Sequence, residues 1–111
     1  MLTAGQVALD AAGRIVGRGN LAAQTEQVFA NLRAVLTACG TDLLHVVKLT
    51  VYVVDLQPVD RATIASILRR HLSTDRLPAN TLVGVQALAR PELLVEIEAL
   101  AVMPRRQVCL R

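Results

Sequence analysis

Two glutamates near the end of the chain have a spacing that could serve acid–base chemistry. Glu96 and Glu98 flank Ile97 in a segment that alternates as a β-strand does. Successive side chains of a strand point to opposite faces, so both carboxylates share one face, about 6.6 Å apart along the strand. Such a pair can act as general acid and general base. A solvated or ion-paired polar strand face is the commoner reason for this pattern.

The remaining reactive side chains form weaker patterns. The segment 17–20, Gly-Arg-Gly-Asn, precedes a predicted helix and could bind an anion, but it lacks the glycine spacing of dinucleotide sites and the lysine of phosphate-binding loops. His45 and His71 have no neighbours at zinc-ligand spacing. Cys39 lies on the apolar side of a helix end, where we expect a buried free thiol, and two unpaired cysteines fit a reducing compartment. These patterns predict no metal site.

The strand that must organise the fold is 46–56, which is rich in valine and threonine. Strict alternation places Val47, Leu49, Val51 and Val53 on one face, while the other face is mixed. A strand that is apolar on one side and partly apolar on the other indicates a central strand covered on both faces. We expect the preceding helix on one face and a further element, such as another subunit, on the other.

Two helices and four further strands are predicted around this strand. Residues 21–39 have the pattern of an amphipathic helix, with Asn20 as N-cap and Gly40 as the stop, and residues 61–72 form a second helix capped by Asp60. The four further strands are predicted over 3–9, 14–16, 80–88 and 93–103. The order β-β-α-β-α-β-β is an α+β pattern, so we expect both helices on one face of a mixed sheet.

Length and composition limit the class of protein. One hundred and eleven residues suit a single domain, which we place at 1–103, and 53% of the residues are hydrophobic, a high share for a monomer. No apolar run is long enough to span a bilayer, and the N-terminus lacks the pattern of a signal peptide. We therefore expect a cytoplasmic protein, away from membranes, that covers apolar surface in an oligomer.

The net charge of +3 belongs to the C-terminus. Arg105, Arg106 and Arg111 lie in the last seven residues, which leaves nine basic and nine acidic residues in the rest of the chain. We predict a flexible basic tail over 104–111. The neutral body, with only two aromatic residues in the chain, counts against a nucleic-acid partner.

Several short motifs, spread over residues 3–102, occur in an order that resembles one known family. They are Ala4-Gly5-Gln6, Asp10 with Gly13, Gln24-Thr25, Asn31-Leu32, Val35-Leu36, Gly40, Val46-Val47-Lys48 and Val95-Glu96-Ile97-Glu98-Ala99. The family is the Rid family, also called YjgF or RidA-like and formerly the L-PSP endoribonuclease or translation-inhibitor family. The resemblance implies a chorismate-mutase-like fold and a homotrimer with small-molecule sites in the clefts between subunits.

The resemblance also implies an activity. Members of the family hydrolyse reactive enamines and imines, such as 2-aminoacrylate, to a keto acid and ammonia without a metal or organic cofactor. In them an arginine in a Pro-Ala-Arg-Ser/Thr setting holds the substrate carboxylate by a bidentate contact. A glutamate on the last strand helps to place the water, and a glycine motif and a tyrosine on an earlier strand complete the cleft.

Carried over residue by residue, this chain keeps part of that site. Glu96 matches the glutamate and is assigned as catalytic, and Gly5 matches the glycine. Asn80 stands where the arginine is expected and is followed by Thr81, while Asp60 stands where an asparagine is usual. We assign Gly5, Asn80, Thr81 and Asp60 to substrate binding. The first family strand, with its tyrosine, is expected to be missing.

The replaced arginine changes the expected activity. A hydrogen bond to a charged group contributes about 1.5–3 kcal/mol, against about 1 kcal/mol for a neutral pair, so Asn80 should hold a carboxylate poorly and Asp60 would repel it. We expect a hydrolase with an altered substrate, neutral or cationic at this position, and weak or missing activity on ordinary 2-imino acids. A non-catalytic ligand-binding or regulatory trimer is the alternative. The older ribonuclease or translation-inhibitor function ranks well below both.

Overall fold

The computed structural model describes residues 1–104, which form four β-strands and two α-helices with a 3₁₀ turn at Leu43–His45. In chain order the elements are β1 Gln6–Val7, α1 Leu21–Ala38, β2 Val46–Val54, α2 Pro58–His71, β3 Ala79–Val85 and β4 Val95–Ala101. Neither α-helix of this part of the chain is long and apolar enough to cross a membrane. The predicted basic tail, apart from its first residue, lies outside the described residues.

The four strands form one mixed sheet in the spatial order β1-β4-β2-β3. β4 pairs antiparallel with both β1 and β2, whereas β2 and β3 are parallel. A parallel pair needs a crossover connection, which α2 provides. The buried residues of both helices join those of the sheet in one core. The predicted α+β class, with two helices on one face of a mixed sheet, is confirmed.

Helix α1 begins and ends where local signals predict. The Asn20 Oδ1 atom accepts a hydrogen bond from the backbone N–H of Ala23 at 3.0 Å and caps the first turn. Gly40, with a φ of 82°, adopts the left-handed conformation that ends many helices. The buried face consists of Gln24, Thr25, Val28, Phe29, Leu32 and Leu36.

β2 is the central strand of the sheet, as predicted, but one residue of its predicted buried face is misplaced. From Leu49 onward the buried and partly exposed residues alternate as expected, whereas Val47 is 44% exposed. Val46 and Lys48 pair with consecutive residues of β4, so Val47 is the extra residue of a β-bulge. The bulge shifts the alternation, and the prediction that Val47 shares the buried face is wrong for that reason.

Helix α2 begins three residues before the predicted start. Pro58 occupies the first helical position, where its fixed φ suits a helix and its missing N–H loses no hydrogen bond. Gln57 and Asp60 form a capping box, in which Asp60 Oδ2 accepts a hydrogen bond from the Gln57 N–H at 2.8 Å. Asp60 therefore lies inside the first turn of the helix instead of preceding it.

The predicted N-terminal hairpin is reduced to a turn and a single bridge. β1 has two residues and pairs with β4, while the return segment contributes only the bridge between Leu9 and Ile15. The Asp10 Oδ1 atom accepts hydrogen bonds from the backbone N–H groups of Ala12 and Arg14, both at 2.9 Å. The Asp10 carboxylate therefore accepts hydrogen bonds from N–H groups of the turn. The predicted strand over 14–16 does not form.

Cys39 is buried, as predicted, but it is not a free thiol. Only 5% of its surface is exposed, and it is disulfide-bonded. The expectation of a free thiol is wrong. Unpaired cysteines therefore do not indicate a reducing compartment for this protein, and the cytoplasmic location stays a prediction.

Residues 1–104 leave the face of the sheet away from the helices bare. The side chains on it come from three strands: Lys48, Thr50, Tyr52 and Val54 of β2, Thr81, Val83 and Val85 of β3, and Glu96, Glu98 and Leu100 of β4. Val83 and Leu100 are 37% and 42% exposed. Val83 is level with Tyr52 and Glu96 whereas Leu100 is level with Lys48, so apolar side chains are exposed along the length of this face.

Candidate active site

Glu96 and Gly5 lie against each other at the bare face of the sheet. Glu96 stands in β4, directly opposite Val7 of β1 and Tyr52 of β2. A Cβ atom added to Gly5 would come within 2.3 Å of Glu96 Oε2. Gly5 is not among the glycines with positive φ, so the absence of a side chain serves the close approach of the carboxylate. Glu96 and Gly5, which the sequence assigns to catalysis and to substrate binding, are therefore neighbours in the structure.

The carboxylate of Glu96 has no fixed partner in this part of the molecule. Glu96 is half-buried, and it forms no hydrogen bond or ion pair with any of residues 1–104. The missing side chain of Gly5 leaves the space that the Glu96 carboxylate occupies. A carboxylate that is positioned but unpaired is available to accept a proton from a water molecule.

Glu98 lies on the same face but has a different environment. Tyr52 donates a hydrogen bond to Glu98 Oε1 at 2.5 Å. This bond, followed by desolvation and by the negative charges of Glu98 and Glu96, raises the pKa of Tyr52 above its ordinary value of about 10. Tyr52 is therefore a neutral donor at physiological pH. The two glutamates share a face, as predicted, but only Glu96 is left available as a base.

Asn80 faces the opposite side of the sheet. It pairs with Leu49, whose side chain is buried beneath the helices, so Asn80 points toward the helical layer. There it lines an open groove of about 560 Å³ between α2 and β3. The other residues that line this groove are Arg61, Ala62, Ile64, Ala65, Arg69 and Leu82.

Thr81 and Asp60 do not join Asn80 in this groove. Thr81 points to the bare face, where Lys48 Nζ donates a hydrogen bond to its Oγ1 atom. Asp60 is held in the capping box of α2 and does not line the groove. Among the predicted substrate-binding residues, only Gly5 lies beside Glu96.

One chain alone does not bring the predicted site together. Glu96 and Asn80 lie on opposite faces of the sheet, in strands that β2 separates. Two strand spacings place those backbones about 9–10 Å apart before the opposite directions of the side chains are counted. A small ligand that contacts both residues would therefore have to lie between two copies of the chain.

Three polar residues near the site were not predicted from the sequence. Tyr52 lies on the face of Glu96, but its pairing with β4 cannot be read from the alternation of β2 alone. Arg61 and Arg69 line the groove beside Asn80. Their spacing around Ala65, i, i+4 and i+8, was the available signal, because such residues share one side of a helix.

The two histidines have structural contacts. His45 Nδ1 lies 2.6 Å from Asp42 Oδ1, and His71 Nε2 lies 3.0 Å from Glu26 Oε2. Among residues 1–104, no cluster of three or more histidine, cysteine, aspartate or glutamate side chains is placed to hold a metal ion.

The fold and the site define a small α+β protein whose candidate catalytic carboxylate lies on a sheet face that residues 1–104 leave bare. The sequence profile of the family described as Endoribonuclease L-PSP matches residues 1–103. The chain therefore belongs to this family, and the resemblance to the Rid (YjgF) family is confirmed.

Individual relatives agree with this assignment. The RutC family protein slr0709 of Synechocystis sp. is 39% identical over 105 residues, which are 94% of this chain and 78% of that protein. The 2-iminobutanoate/2-iminopropanoate deaminase of Mus musculus is 37% identical over 98 residues, which are 88% of this chain and 70% of that enzyme. The crystal structure of YyfB from Yersinia pestis, a Rid family protein of unknown function, has a TM-score of 0.87 and 47% identity, covering 93% of this chain and 77% of that one.

Proposed function

We propose that the protein is a hydrolase of the Rid type that converts an enamine or imine to a carbonyl compound and ammonia without a cofactor. The observation that carries the proposal is the Glu96 carboxylate, which lies against Gly5 and has no partner among residues 1–104. Family membership and the mouse relative, which is an imine deaminase by name, support the reaction class.

We further propose that the sites lie between subunits of a homotrimer. The opposite orientations of Glu96 and Asn80 support this arrangement, because a second copy can offer the face that the first lacks. The exposed apolar side chains of Val83 and Leu100 on the bare face support a partner there. Light scattering after gel filtration should give the mass of three chains of 11.9 kDa. A monomeric mass would overturn the proposed site.

In the proposed reaction Glu96 acts on a water molecule beside the imine carbon. The water oxygen bonds to that carbon, while one water proton passes through Glu96 to the imine nitrogen. The resulting carbinolamine then breaks its carbon–nitrogen bond. The hydroxyl proton goes to the leaving nitrogen, so imine and water give a carbonyl compound and ammonia.

The substrate should differ from an ordinary 2-imino acid. Asn80 offers a neutral amide where the family pattern has an arginine, and an amide cannot make the charged bidentate contact to a carboxylate. Asn80 would instead bond a neutral polar group of the substrate. Activity on short 2-imino acids should be weak for this reason.

Ammonia release from enzymatically generated 2-imino acids tests these proposals. We expect little release above the protein-free rate with the wild type, a gain with Asn80→Arg, and loss of that gain in Asn80→Arg/Glu96→Gln. This result would show that the cleft and Glu96 are competent and that only the carboxylate clamp differs. Wild-type rates similar to those of an arginine-bearing member would contradict the altered substrate. A gain that survives Glu96→Gln would contradict the role of Glu96.

The second candidate is a non-catalytic trimer that binds a small molecule. The observation in its favour is Asn80 itself, since the loss of the arginine could accompany the loss of the chemistry. If neither the wild type nor Asn80→Arg releases ammonia, this candidate is favoured. A ribonuclease role stays third, because the chain outside its last seven residues is neutral.

A further inference from the structure

The groove between α2 and β3 carries two arginines that the proposed reaction does not use. Arg61 and Arg69 line it together with Ala65, which lies midway between them in sequence. Residues four apart on a helix are neighbours on its surface, so these three form one row along α2. The eight-residue separation corresponds to about 12 Å along the helix axis.

Both guanidinium groups lack a counter-ion in the described structure. Neither Arg61 nor Arg69 forms a hydrogen bond or an ion pair with any of residues 1–104, and both are exposed. The next residue behaves differently, because Arg70 Nη2 lies 2.7 Å from Glu26 Oε1. Arg76, which does not line the groove, also has no side-chain hydrogen bond or ion pair with these residues, so what distinguishes Arg61 and Arg69 is that they line one groove together.

The rest of the groove does not neutralise this charge. No carboxylate of residues 1–104 lines it, and Asp60, although adjacent to Arg61 in sequence, is engaged in the cap of α2. The remaining lining residues are apolar except for Asn80, which supplies an amide from β3. A cleft lined by charge of one sign raises the local concentration of ligands of the opposite sign.

The shape of the groove suits a small molecule. Ala62 and Ala65 present only methyl groups from α2, which leaves open space between the two arginines. The volume of about 560 Å³ lies within the range of small-molecule sites. Apolar walls with a few converging polar groups are also typical of such sites.

We infer that this groove binds an acidic small molecule whose carboxylate groups are held by Arg61 and Arg69, with the Asn80 amide bonding a neutral polar group between them. Each guanidinium can bind a carboxylate through two parallel hydrogen bonds. The inference deepens the proposed function and rests on it for one point: the bound molecule is the substrate. The substrate would then be an imine whose negatively charged groups lie far from the reacting carbon. These groups would be bound by the arginines of α2 instead of by residue 80.

Calorimetric titration with glutarate tests the inference without any turnover. Glutarate carries two carboxylates separated by a short apolar chain, and glutaramide is a neutral probe of the same shape. The variant Arg61→Gln/Arg69→Gln removes both charges and keeps most of each side-chain stem. The matched control Arg14→Gln/Arg18→Gln removes the same net charge from two exposed arginines that do not line the groove.

We expect saturable glutarate binding to the wild type and the control, and binding at least about tenfold weaker in Arg61→Gln/Arg69→Gln. Glutaramide should not bind, and added salt should weaken glutarate binding. Absence of saturable binding to the wild type, equal weakening in both double variants, or equal binding of glutaramide would each overturn the inference.

A failure of the groove as a binding site can be distinguished from a failure of the proposed hydrolase function. Glu96→Gln should retain glutarate binding, since Glu96 does not line the groove. Glutarate binding without hydrolysis of any imine would support the groove as a binding site and count against the hydrolase. Hydrolysis that depends on Glu96 but is unaffected by Arg61→Gln/Arg69→Gln would support the hydrolase and overturn the role of the groove in substrate binding.

Discussion

Tyr52 donates a hydrogen bond to Glu98 across the β2–β4 pair, with 2.5 Å between the phenol and carboxylate oxygens. The bond favours the protonated phenol and is the first cause of the raised pKa of Tyr52; desolvation and the charges of Glu98 and Glu96 add to it. Because the pKa is higher in the folded state, the protonated phenol stabilises the fold below the ordinary value of about 10. This contribution is lost as the pH rises through the higher folded value.

The raised pKa of Tyr52 can be measured directly, because it is the single tyrosine of the chain and there is no tryptophan. In a titration followed by phenolate absorbance, the midpoint should lie above about 10 for the wild type and fall toward that value in Glu98→Ala. Glu92→Ala, which removes a carboxylate elsewhere, should leave the midpoint unchanged. An equally high midpoint in Glu98→Ala would show that the bond does not control the titration.

Replacement of Gly5 by alanine should displace the Glu96 carboxylate without unfolding the chain. The new methyl would meet Glu96 Oε2 at 2.3 Å, and this end of a flexible side chain can rotate away. We expect the free energy of unfolding, measured with urea, to change by less than about 1 kcal/mol. Ammonia release in the Asn80→Arg background should fall to the level seen with Glu96→Gln.

A double-variant comparison gives the control for Gly5. If the methyl acts only by moving the carboxylate, Gly5→Ala should cause no further loss once Glu96→Gln is present. A second, fully additive loss would mean that Gly5 contributes to activity independently of Glu96.

Replacement of Gln24 by leucine should destabilise the fold strongly. This buried side chain donates to the carbonyl oxygens of Gly17 and Glu92 at 3.2 and 2.9 Å, and it accepts from the Leu94 N–H at 2.8 Å. Leucine fills a similar volume but leaves the partly buried Glu92 carbonyl and Leu94 N–H without this partner, whereas the Gly17 carbonyl keeps its bond from the Asn20 N–H. We therefore expect a loss of about 2–4 kcal/mol in urea unfolding at one fixed protein concentration. Gln86→Leu, at an exposed position, should cost less than about 0.5 kcal/mol. Similar losses in both variants would contradict the bridging role.

Elements with strong local signals could be predicted from the sequence. The ends of α1 follow from the Asn20 cap and from Gly40, each of which acts within one helical turn. The predicted start of α2 is three residues late, because Asp60 has the residue type of an N-cap, whereas the helix begins at Pro58 and holds Asp60 in its first turn. The bulge at Val47 depends on how β2 pairs with β4, and an alternating pattern in one strand contains no information on that pairing.

The candidate site was predictable as a set of residues but not as an arrangement. Glu96 and Gly5 could be assigned from the family motifs, whereas their contact depends on how the segment before β1 approaches β4. That Asn80 faces away from Glu96 follows from the parallel register of β2 with β3, which sequence periodicity does not specify. The substrate-binding roles assigned to Asn80, Thr81 and Asp60 stay predictions.

Glu26 links the two helices through a partly exposed ion pair with Arg70 and a hydrogen bond with His71, and its charge should contribute modestly to stability. Its Oε1 atom lies 2.7 Å from Arg70 Nη2, and its Oε2 atom lies 3.0 Å from Nε2 of His71, whose ring stacks on Phe29 with 4.9 Å between centroids. Because the Glu26 side chain is 39% exposed, solvent screens these pairs. We expect Glu26→Gln to lose about 1 kcal/mol in urea unfolding at low ionic strength, and less in 1 M salt.

Glu92 provides the matched control for Glu26, because its carboxylate lies 3.8 Å from Arg18 on the surface and contacts no second polar side chain among residues 1–104. Glu92→Gln should lose less than about 0.5 kcal/mol under the same conditions. If Glu26→Gln loses no more than Glu92→Gln, or if its loss is the same at both salt concentrations, the charge of Glu26 does not hold α1 and α2 together. The stacking of His71 on Phe29 and the apolar contacts of the helices would then account for their packing.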